Sequence, residues 1–362
     1  MSATSDTRPV TFGLIGAGWR AEFFLRVARA LPDRFRVGGV VVRDAEKGHA
    51  VAAAWGVPTY RTPDDLLHAA SPAFMVLSVP RSVAPDLLAA LVAREIPVLV
   101  ETPPAADLDG LRAVWQLAGA GARVQVAEQY PFQPLHAARL ALVRAGRLGI
   151  VSQAQVSAAH DYHGVGLLRG LLGVGFANAT ITARAFEAPI VDGPDRAGDP
   201  ATERVVPSRQ VVALLDWGDR WGVYDFAGAQ YFSWIRSPRV LVRGERGEIH
   251  DERVAYLEDF RTPVTYDFVR QVAGEGGNLE GFHLKGILAG EKWVYRNPFV
   301  PARLSDDEIA VATCMEKMAV YAAGGASFYG LAEAAQDHYL GLMIAQAAHT
   351  GADVRTASQP WA

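Results

Sequence analysis

The chain has 362 residues, 50% of them hydrophobic, and its 35 basic and 39 acidic residues give a net charge of −4. This length predicts two domains rather than a single core, and the lack of a basic excess argues against a nucleic-acid partner. The single cysteine, Cys314, excludes an internal disulfide and a multi-cysteine metal site.

The start of the sequence, residues 1–8, is polar and lacks the apolar core of a signal peptide. No uninterrupted apolar run approaches the roughly 18 to 20 residues that are needed to span a bilayer. We therefore expect a cytoplasmic protein without a membrane partner.

The first predicted strand, residues 10–15, leads into Gly16-Ala17-Gly18-Trp19-Arg20-Ala21, and a predicted helix follows. Bare backbone N–H groups at the positive end of a helix suit a pyrophosphate. In this spacing Gly16 allows the tight turn, Gly18 lets a phosphate approach the backbone, and Ala21 keeps helix and strand close. The position between strand and helix predicts a dinucleotide site, and a merely structural turn is the alternative.

Strand and helix patterns alternate through the first third of the chain. The predicted strands are mostly apolar, as in a parallel sheet covered on both faces, and lie at 10–15, 35–42, 74–79, 97–100 and 123–127. Helices are predicted at 22–31, 44–55, 64–70, 82–94 and 107–117. Such repeats indicate a doubly wound, Rossmann-type α/β sheet whose ligands bind outside the carboxyl ends of the strands.

The pattern changes after a predicted helix at 134–145. Strand-like runs joined by glycine turns follow, which predicts a second, largely antiparallel sheet, and they lie at 150–158, 181–186, 211–217, 222–226, 240–243 and 248–250. A helix is predicted at 164–172. The segment 187–208 contains four prolines and is expected to be a long surface loop. Two helices, the second at 331–349, complete the prediction.

Several motifs occur in a characteristic order. The glycine loop precedes a strand that ends at Pro80, then an apolar run followed by Glu101-Thr102-Pro103, and a Gly-Arg-Leu-Gly turn at 146–149. His163 precedes a helix that ends at Gly173. Together with the segments 242–249 and 331–351, this order resembles the glucose–fructose oxidoreductase / inositol dehydrogenase (Gfo/Idh/MocA) family over nearly the whole chain.

The resemblance implies an oxidoreductase with a nicotinamide-binding domain, residues 8–129, and a substrate-binding and oligomerisation α/β domain, residues 130–355. The second domain would contain a large, mostly antiparallel open sheet, through which a homodimer or homotetramer forms. The active site would lie between the domains and act on a small-molecule substrate such as a sugar, a polyol or a related carbonyl compound. For the aromatic residues of this domain, including Tyr231, we favour the subunit interface over substrate binding.

The sequence departs from the family at groups that serve redox chemistry. The lysine of the family's Glu-Lys-Pro motif is Thr102 here, and a threonine hydroxyl cannot act as an acid near neutral pH. The acid that the family places four residues before its active-site histidine is Ala159. A further histidine, four residues after the strand-end proline, is Ala84. His163 remains.

His160, Asp161, Tyr162 and His163 are therefore the candidate catalytic residues. Histidine titrates near neutrality, tyrosine protonates a developing alkoxide when a neighbour lowers its pKa, and Asp161 could orient either histidine. The alternative is an exposed helix entry in which Asp161 or Tyr162 lies near the cap. The residue types also allow a metal site, but no further ligand is evident in the sequence, and we expect no metal.

Cofactor choice depends on the end of the second strand. NAD-binding relatives carry an acid there, whereas this chain has Val42 followed by Arg43, which suits the 2′-phosphate of NADP. An exposed Arg43 beside a helix-capping Asp44 is the alternative, and NAD remains the second choice of cofactor. The predicted cofactor-binding residues are Gly16, Gly18, Trp19, Arg20, Ala21, Arg43, Pro80, Glu101, Thr102 and Glu128.

Three functions are compatible with these residues. The first is an NADP(H)-dependent oxidoreductase in which His163 and its neighbours replace the family lysine. The second is a lyase, epimerase or glycosidase that uses a tightly bound dinucleotide without net redox. The third is a nucleotide-binding regulatory protein without catalysis, suggested by Thr102 and Ala159 together. We favour the first.

Overall fold

The computed structural model describes residues 8–119, 121–274 and 281–362, so residues 1–7 of the polar start lie outside it. The chain divides into two compact units, each of which collects distant segments. The first consists of Met1–Pro134, Val272–Lys285 and Asn297–Ala335, and the second of Leu135–Gln271, Gly286–Arg296 and Gln336–Ala362.

The first unit contains alternating strands and helices, which are β1 (Val10–Ile15), α1 (Trp19–Ala30), β2 (Phe35–Val41), α2 (Ala45–Trp55), β3 (Thr59–Tyr60), α3 (Pro63–Ala70), β4 (Phe74–Leu77), α4 (Ala84–Val92), β5 (Val98–Val100), α5 (Leu108–Gly119) and β6 (Val124–Val126). The six strands form a parallel sheet in the order β3-β2-β1-β4-β5-β6. Every residue of β4, β5 and β6 is buried. This confirms the doubly wound sheet that the alternating pattern predicts.

Side-chain caps set the start of several helices. The carboxylate of Asp44 accepts the Lys47 N–H at 2.7 Å before α2. Thr62 and Asp65 form a reciprocal capping box before α3. By contrast α1 begins at Trp19, three residues before the predicted start, and its N-cap is Gly18.

The remaining elements in chain order are α6 (Pro134–Arg144), β7 (Val151–Ser157), α7 (Asp161–Leu172), β8 (Thr180–Val191), β9 (Val205–Asp216), β10 (Trp221–Ala227), β11 (Arg239–Gly244), β12 (Gly247–His250), β13 (Arg253–Asp259), β14 (Thr262–Ala273), β15 (His283–Ala289), β16 (Lys292–Arg296), α8 (Asp306–Ala322), α9 (Leu331–Thr350) and β17 (Val354–Arg355). Eleven strands form one sheet in the order β16-β15-β14-β13-β12-β11-β7-β10-β9-β8-β17. This confirms the predicted second, mostly antiparallel sheet. Within it β7 and β10 run parallel, and α7 packs on both of them.

The predicted surface loop at 187–208 is wrong over much of its length. β8 and β9 pair as far as Val191 and Val205, so the connection between them spans only 192–204. Pro189 lies opposite Pro207 in this outer part of the hairpin, and the pairing of β9 with β10 ends before it, at Gln210. Proline is tolerated there because an edge strand loses no ladder hydrogen bond to a further neighbour.

Two other boundaries differ from the sequence prediction. Helix α7 begins at Asp161, so the residues predicted to precede the helix form its first turn. In the described residues five strands, β13 to β17, follow the last predicted strand. Within the described residues no helix combines the length and the apolar character that are needed to cross a membrane.

Candidate dinucleotide and acid–base sites

The glycine loop of the first unit connects β1 to α1. Gly16 has a φ of +110°, and a Cβ on it would lie 2.0 Å from the carbonyl oxygen of Ser78, so a larger residue is excluded there. A Cβ on Gly18 would meet nothing within 4 Å. No side chain of the described residues caps α1 at Gly18. The loop therefore presents uncapped amides and open space, which fit the pyrophosphate of a dinucleotide.

Arg20, in the first turn of α1, forms an ion pair with Glu101 at the end of β5. Its Nε lies 2.7 Å from Oε1 of Glu101, and the two side chains are 18% and 10% exposed. The other carboxylate oxygen accepts the Thr102 N–H at 3.2 Å. Burial opposes the charged guanidinium, but the neighbouring carboxylate outweighs burial and raises the pKa of Arg20. Arg20 thus remains charged.

Two arginines, Arg43 and Arg61, lie next to the end of β2. Arg43 is exposed, whereas Val42 before it is buried and Asp44 after it caps α2. The guanidinium of Arg61 donates to the carbonyls of Val42 at 2.6 Å and Asp44 at 2.9 Å. Sequence reasoning missed Arg61.

A signal for Arg61 was present in the sequence. Gly48 lies within α2, where glycine is unfavourable, and a Cβ on it would lie 2.4 Å from Nη1 of Arg61. A glycine inside a helix indicates close approach by a neighbouring group, and here that group is this guanidinium.

Pro80, Glu128 and Cys314 differ in accessibility. Pro80 is exposed beyond the end of β4. Glu128 is buried, and its carboxylate accepts the Tyr130 N–H at 3.0 Å. Cys314 is fully buried, its thiol donates to the Glu128 carbonyl at 3.7 Å, and burial raises the pKa of that thiol. Cys314 is therefore a core residue.

The second unit brings the four predicted catalytic residues together at the start of α7. His160 is the N-cap residue, and its ring centroid lies 4.9 Å from that of His163. The rings of Tyr162 and His163 lie 4.3 Å apart, and these side chains belong to residues that are only 8% and 5% exposed. Asp161 is exposed, with a φ of +41°.

Two tyrosines outside the predicted set contact this turn. The hydroxyl of Tyr224 accepts the Asp161 N–H at 2.9 Å, and burial, then Asp161, raises the pKa of Tyr224. The hydroxyl of Tyr231 accepts the backbone N–H of His160 at 3.1 Å and lies 2.5 Å from its Nδ1. His338, from α9, packs edge-on against Tyr162 at 5.4 Å.

Tyr231 belongs to a short helical turn, Gly228–Tyr231, that follows β10. Because β7 and β10 are parallel, their carboxyl ends lie at one edge of the sheet, and this brings Tyr231 close to His160. Buried Gln230 anchors the turn: its amide donates to the carbonyls of Ser157 at 3.1 Å and Ser237 at 3.0 Å, and its Oε1 accepts the Ala227 N–H at 2.8 Å. Sequence reasoning missed this contact because it depends on strand order.

A cavity of about 440 Å³ borders the same turn in the second unit. Gly228, Ala229, Phe232 and Ser233 line one side of it, and residues of β8, β9 and the loop after β8 line the rest. In the described residues no group of three or more His, Cys, Asp or Glu side chains could hold a metal ion.

Residues 10–128 match the family described as "Oxidoreductase family, NAD-binding Rossmann fold", Gfo/Idh/MocA. No curated protein sequence matches the chain. Among solved structures, an NAD binding oxidoreductase from Klebsiella pneumoniae is 14% identical with a TM-score of 0.69, and the match covers 97% of this chain and 100% of that one.

Two further solved structures resemble the whole chain. A myo-inositol dehydrogenase from Corynebacterium glutamicum is 17% identical with a TM-score of 0.64, covering 97% of this chain and 100% of that one. The WlbA dehydrogenase from Bordetella pertussis, in complex with NADH and UDP-GlcNAcA, is 16% identical with a TM-score of 0.64 and the same coverages, 97% and 100%. Identities this low show a shared fold. The match over residues 10–128 identifies this part of the chain as an NAD-binding Rossmann fold of the kind found in the Gfo/Idh/MocA oxidoreductase family.

Proposed function

We propose that the protein transfers a hydride between NADP(H) and a hydroxyl or carbonyl group of a sugar-like or other small substrate. The observation that carries this proposal is the pairing, in one chain, of an open glycine loop with a polar aromatic cluster at the start of α7. The first unit supplies the cofactor site. The second unit supplies the acid–base groups. They replace the family's lysine, whose position is occupied here by Thr102, a residue that cannot act as an acid near neutral pH.

The residues of the first unit fit a nicotinamide dinucleotide. The amides around Gly18 would hold the pyrophosphate, and Glu101 at the end of β5 would serve the nicotinamide ribose. When bound, the nicotinamide accepts or donates the hydride. Arg20 keeps the Glu101 carboxylate in place through the 2.7 Å ion pair.

The preference for NADP rests on charge at the end of β2. In NAD-binding relatives a carboxylate at this position accepts the ribose hydroxyls and disfavours a 2′-phosphate. Here the acid that follows the strand, Asp44, is engaged in capping α2. Exposed Arg43 offers charge-assisted, bidentate hydrogen bonds to a phosphate, and Arg61 adds a second positive charge close by.

The acid–base assignment centres on His163, Tyr162, His160 and Asp161. The rings of His160, Tyr162 and His163 are in mutual contact, so a charge on one of these groups acts on the other two. The substrate class follows the similar folds, which include a myo-inositol dehydrogenase and a dehydrogenase in complex with UDP-GlcNAcA.

A direct test mixes the purified protein with NADPH or NADH and a panel of ketoses, inososes and sugar acids, and with the oxidised cofactors and the matching polyols. Appearance or loss of reduced nicotinamide with one substrate class supports the proposal. Tight dinucleotide binding with product formation but no net change in reduced nicotinamide would instead support the non-redox enzyme. Binding without any turnover would support the regulatory protein.

We also propose a homodimer or homotetramer that forms through the large sheet. Phe186, Val212 and Trp221 are exposed, and the register of β8, β9 and β10 places them on one face of the sheet. Sedimentation equilibrium tests this assembly, and Trp221→Glu is expected to shift it towards the monomer, because a charge would be buried at the interface. A wild-type monomer at all concentrations would contradict it.

A further inference from the structure

Two of the four predicted catalytic side chains are poorly accessible. Tyr162 and His163 are 8% and 5% exposed, and Tyr162 is covered by His338. An acid or base must come within hydrogen-bonding distance of the substrate oxygen. Tyr231, at the same edge of the sheet, is 39% exposed. Of the three described tyrosines at this turn, Tyr162, Tyr224 and Tyr231, the exposed one is therefore Tyr231.

The hydrogen bonds of this hydroxyl are those of a proton-relay group. It accepts the backbone N–H of His160 at 3.1 Å and lies 2.5 Å from Nδ1 of the same residue. When the imidazole is protonated, Nδ1–H donates to the tyrosine oxygen, which then accepts two hydrogen bonds and keeps its own O–H as a donor. When the imidazole is neutral at Nδ1, the tyrosine O–H donates to it.

The contact is fixed by the fold around it. Tyr231 follows β10 and His160 follows β7, two strands that run parallel as neighbours. Gln230, next to Tyr231, donates to the carbonyl and the hydroxyl of Ser157 at 3.1 and 3.0 Å. Arg239 donates to the same hydroxyl at 3.2 Å and to Asp225 at 2.8 Å. This partly buried polar network holds the ends of the two strands together.

We propose that Tyr231 is the catalytic acid–base residue of the oxidoreductase proposed above, and that His160 acts through it as its proton reservoir. In the direction of reduction, the carbonyl carbon would receive the hydride that a reduced nicotinamide dinucleotide supplies when bound, and the carbonyl oxygen would receive the proton of Tyr231. The Nδ1 proton of His160 moves to the tyrosine oxygen at the same time. The imidazolium becomes neutral imidazole, and oxidation of the alcohol is the reverse.

The charge of His160 depends on the groups around it. Tyr162 and His163 of its own helix face the ring, Asp161 is its neighbour in sequence, and Tyr231 contacts it from the turn after β10. Tyr224 contacts the backbone of Asp161, and His338 lies beyond Tyr162. A pH profile of the wild-type enzyme therefore reports this whole cluster, and variants are needed to isolate His160.

The test measures turnover and its pH profile in Tyr231→Phe and His160→Gln, with Tyr256→Phe as the matched control. Tyr231→Phe is expected to lower kcat by about 100-fold or more, the range for loss of a general acid, with dinucleotide affinity unchanged. His160→Gln retains the Tyr231 hydroxyl and the backbone hydrogen bond. It is expected to lower kcat and to abolish the fall of the reductive rate as the pH rises through the titration of histidine. Tyr256→Phe, on β13, is expected to behave as wild type.

The outcomes separate this proposal from the function on which it rests. If the wild-type protein turns over substrate and the kcat of Tyr231→Phe lies within about threefold of the wild-type value, the role of Tyr231 is overturned. The proposed oxidoreductase activity is not affected by that result. A pH profile unchanged in His160→Gln would overturn the relay. If the wild-type protein binds the dinucleotide but transfers no hydride to any substrate of the panel, both proposals fail together. The unfolding midpoint of each variant is measured as well. A midpoint equal to that of wild type shows that a loss of activity is not caused by unfolding.

Discussion

The guanidinium of Arg20 lies against the carboxylate of Glu101, with Nε 2.7 Å from Oε1, and the two residues are 81 positions apart in sequence. The pair joins the first turn of α1 to the end of β5. It also means that the side chain of Arg20, which lies within the glycine motif, is directed towards the end of β5. Binding of a 2′-phosphate at the end of β2 would therefore depend on the positive charges of Arg43 and Arg61.

Removing one partner of this pair is expected to destabilise the first unit. In Arg20→Met the carboxylate of Glu101, 10% exposed, loses its counter-ion. Breaking a fully buried ion pair costs about 3 to 5 kcal/mol, and this partly accessible one is expected to cost about 2 to 3 kcal/mol. Urea unfolding measures the change.

The double variant Arg20→Met, Glu101→Gln provides the control, because it removes both charges and is expected to recover part of the loss. Arg94→Met breaks a surface pair with Asp64, in which the side chains are 44% and 62% exposed, and is expected to cost about 0 to 1 kcal/mol. Equal effects of Arg20→Met and Arg94→Met would show that burial adds nothing to the pair.

Gly18→Asp is expected to weaken dinucleotide binding strongly without loss of stability. The backbone at Gly18 has an ordinary φ of −83°, and a side chain there enters open space that we assign to the pyrophosphate. The carboxylate would repel phosphate and instead cap α1, where aspartate is a favoured N-cap residue. We expect the Kd for NADPH to rise by about 100-fold or more, while the unfolding midpoint stays equal or rises.

Gly119→Asp is the matched control, because it also places a carboxylate in open space within the first unit, at the end of α5. Calorimetric titration should give wild-type affinity for this variant. Retained affinity in Gly18→Asp would place the dinucleotide elsewhere.

Arg43→Ala is expected to change cofactor preference. Loss of the exposed guanidinium removes a charge-assisted contact to a 2′-phosphate, so the Kd for NADPH should rise by about tenfold or more, whereas the Kd for NADH stays constant. Arg112→Ala, on the surface of α5, serves as the control. Tighter binding of NADH than of NADPH by the wild-type protein would contradict the preference itself.

The sequence predicts what depends on local pattern and leaves out what depends on strand order. The glycine spacing around Gly16 and Gly18 and the apolar strands predict the first sheet, because each signal lies within a few residues. The contact of His160 with Tyr231 joins residues 71 positions apart and exists because β10 lies beside β7. The sequence around Tyr231 does not indicate that His160 is its neighbour. An aromatic residue in this domain was therefore equally compatible with a subunit interface and with substrate binding.

The second unit contains a histidine whose burial predicts a specific pH dependence of stability. Nδ1 of His136, in α6, lies 3.1 Å from Nη1 of Arg139, which also donates from Nε to the Asp251 carbonyl. Burial, then the positive charge of Arg139, lowers the pKa of His136 to about 3, against 6.5 in the unfolded chain. The unfolded state therefore binds a proton that the folded state does not bind between these values.

The direction of the effect follows from that difference in proton binding. The contribution to stability is complete above the unfolded pKa of 6.5 and is lost as the pH falls towards 3. Each pH unit within this window costs about 1.4 kcal/mol, which amounts to about 2 kcal/mol between about pH 7 and about pH 5. His136→Gln keeps an acceptor for Arg139 and does not titrate, so it should lose about 2 kcal/mol less than wild type over that interval. His49→Gln, an exposed residue of α2, should follow wild type. Parallel curves for wild type and His136→Gln would show that His136 takes up its proton in the folded state.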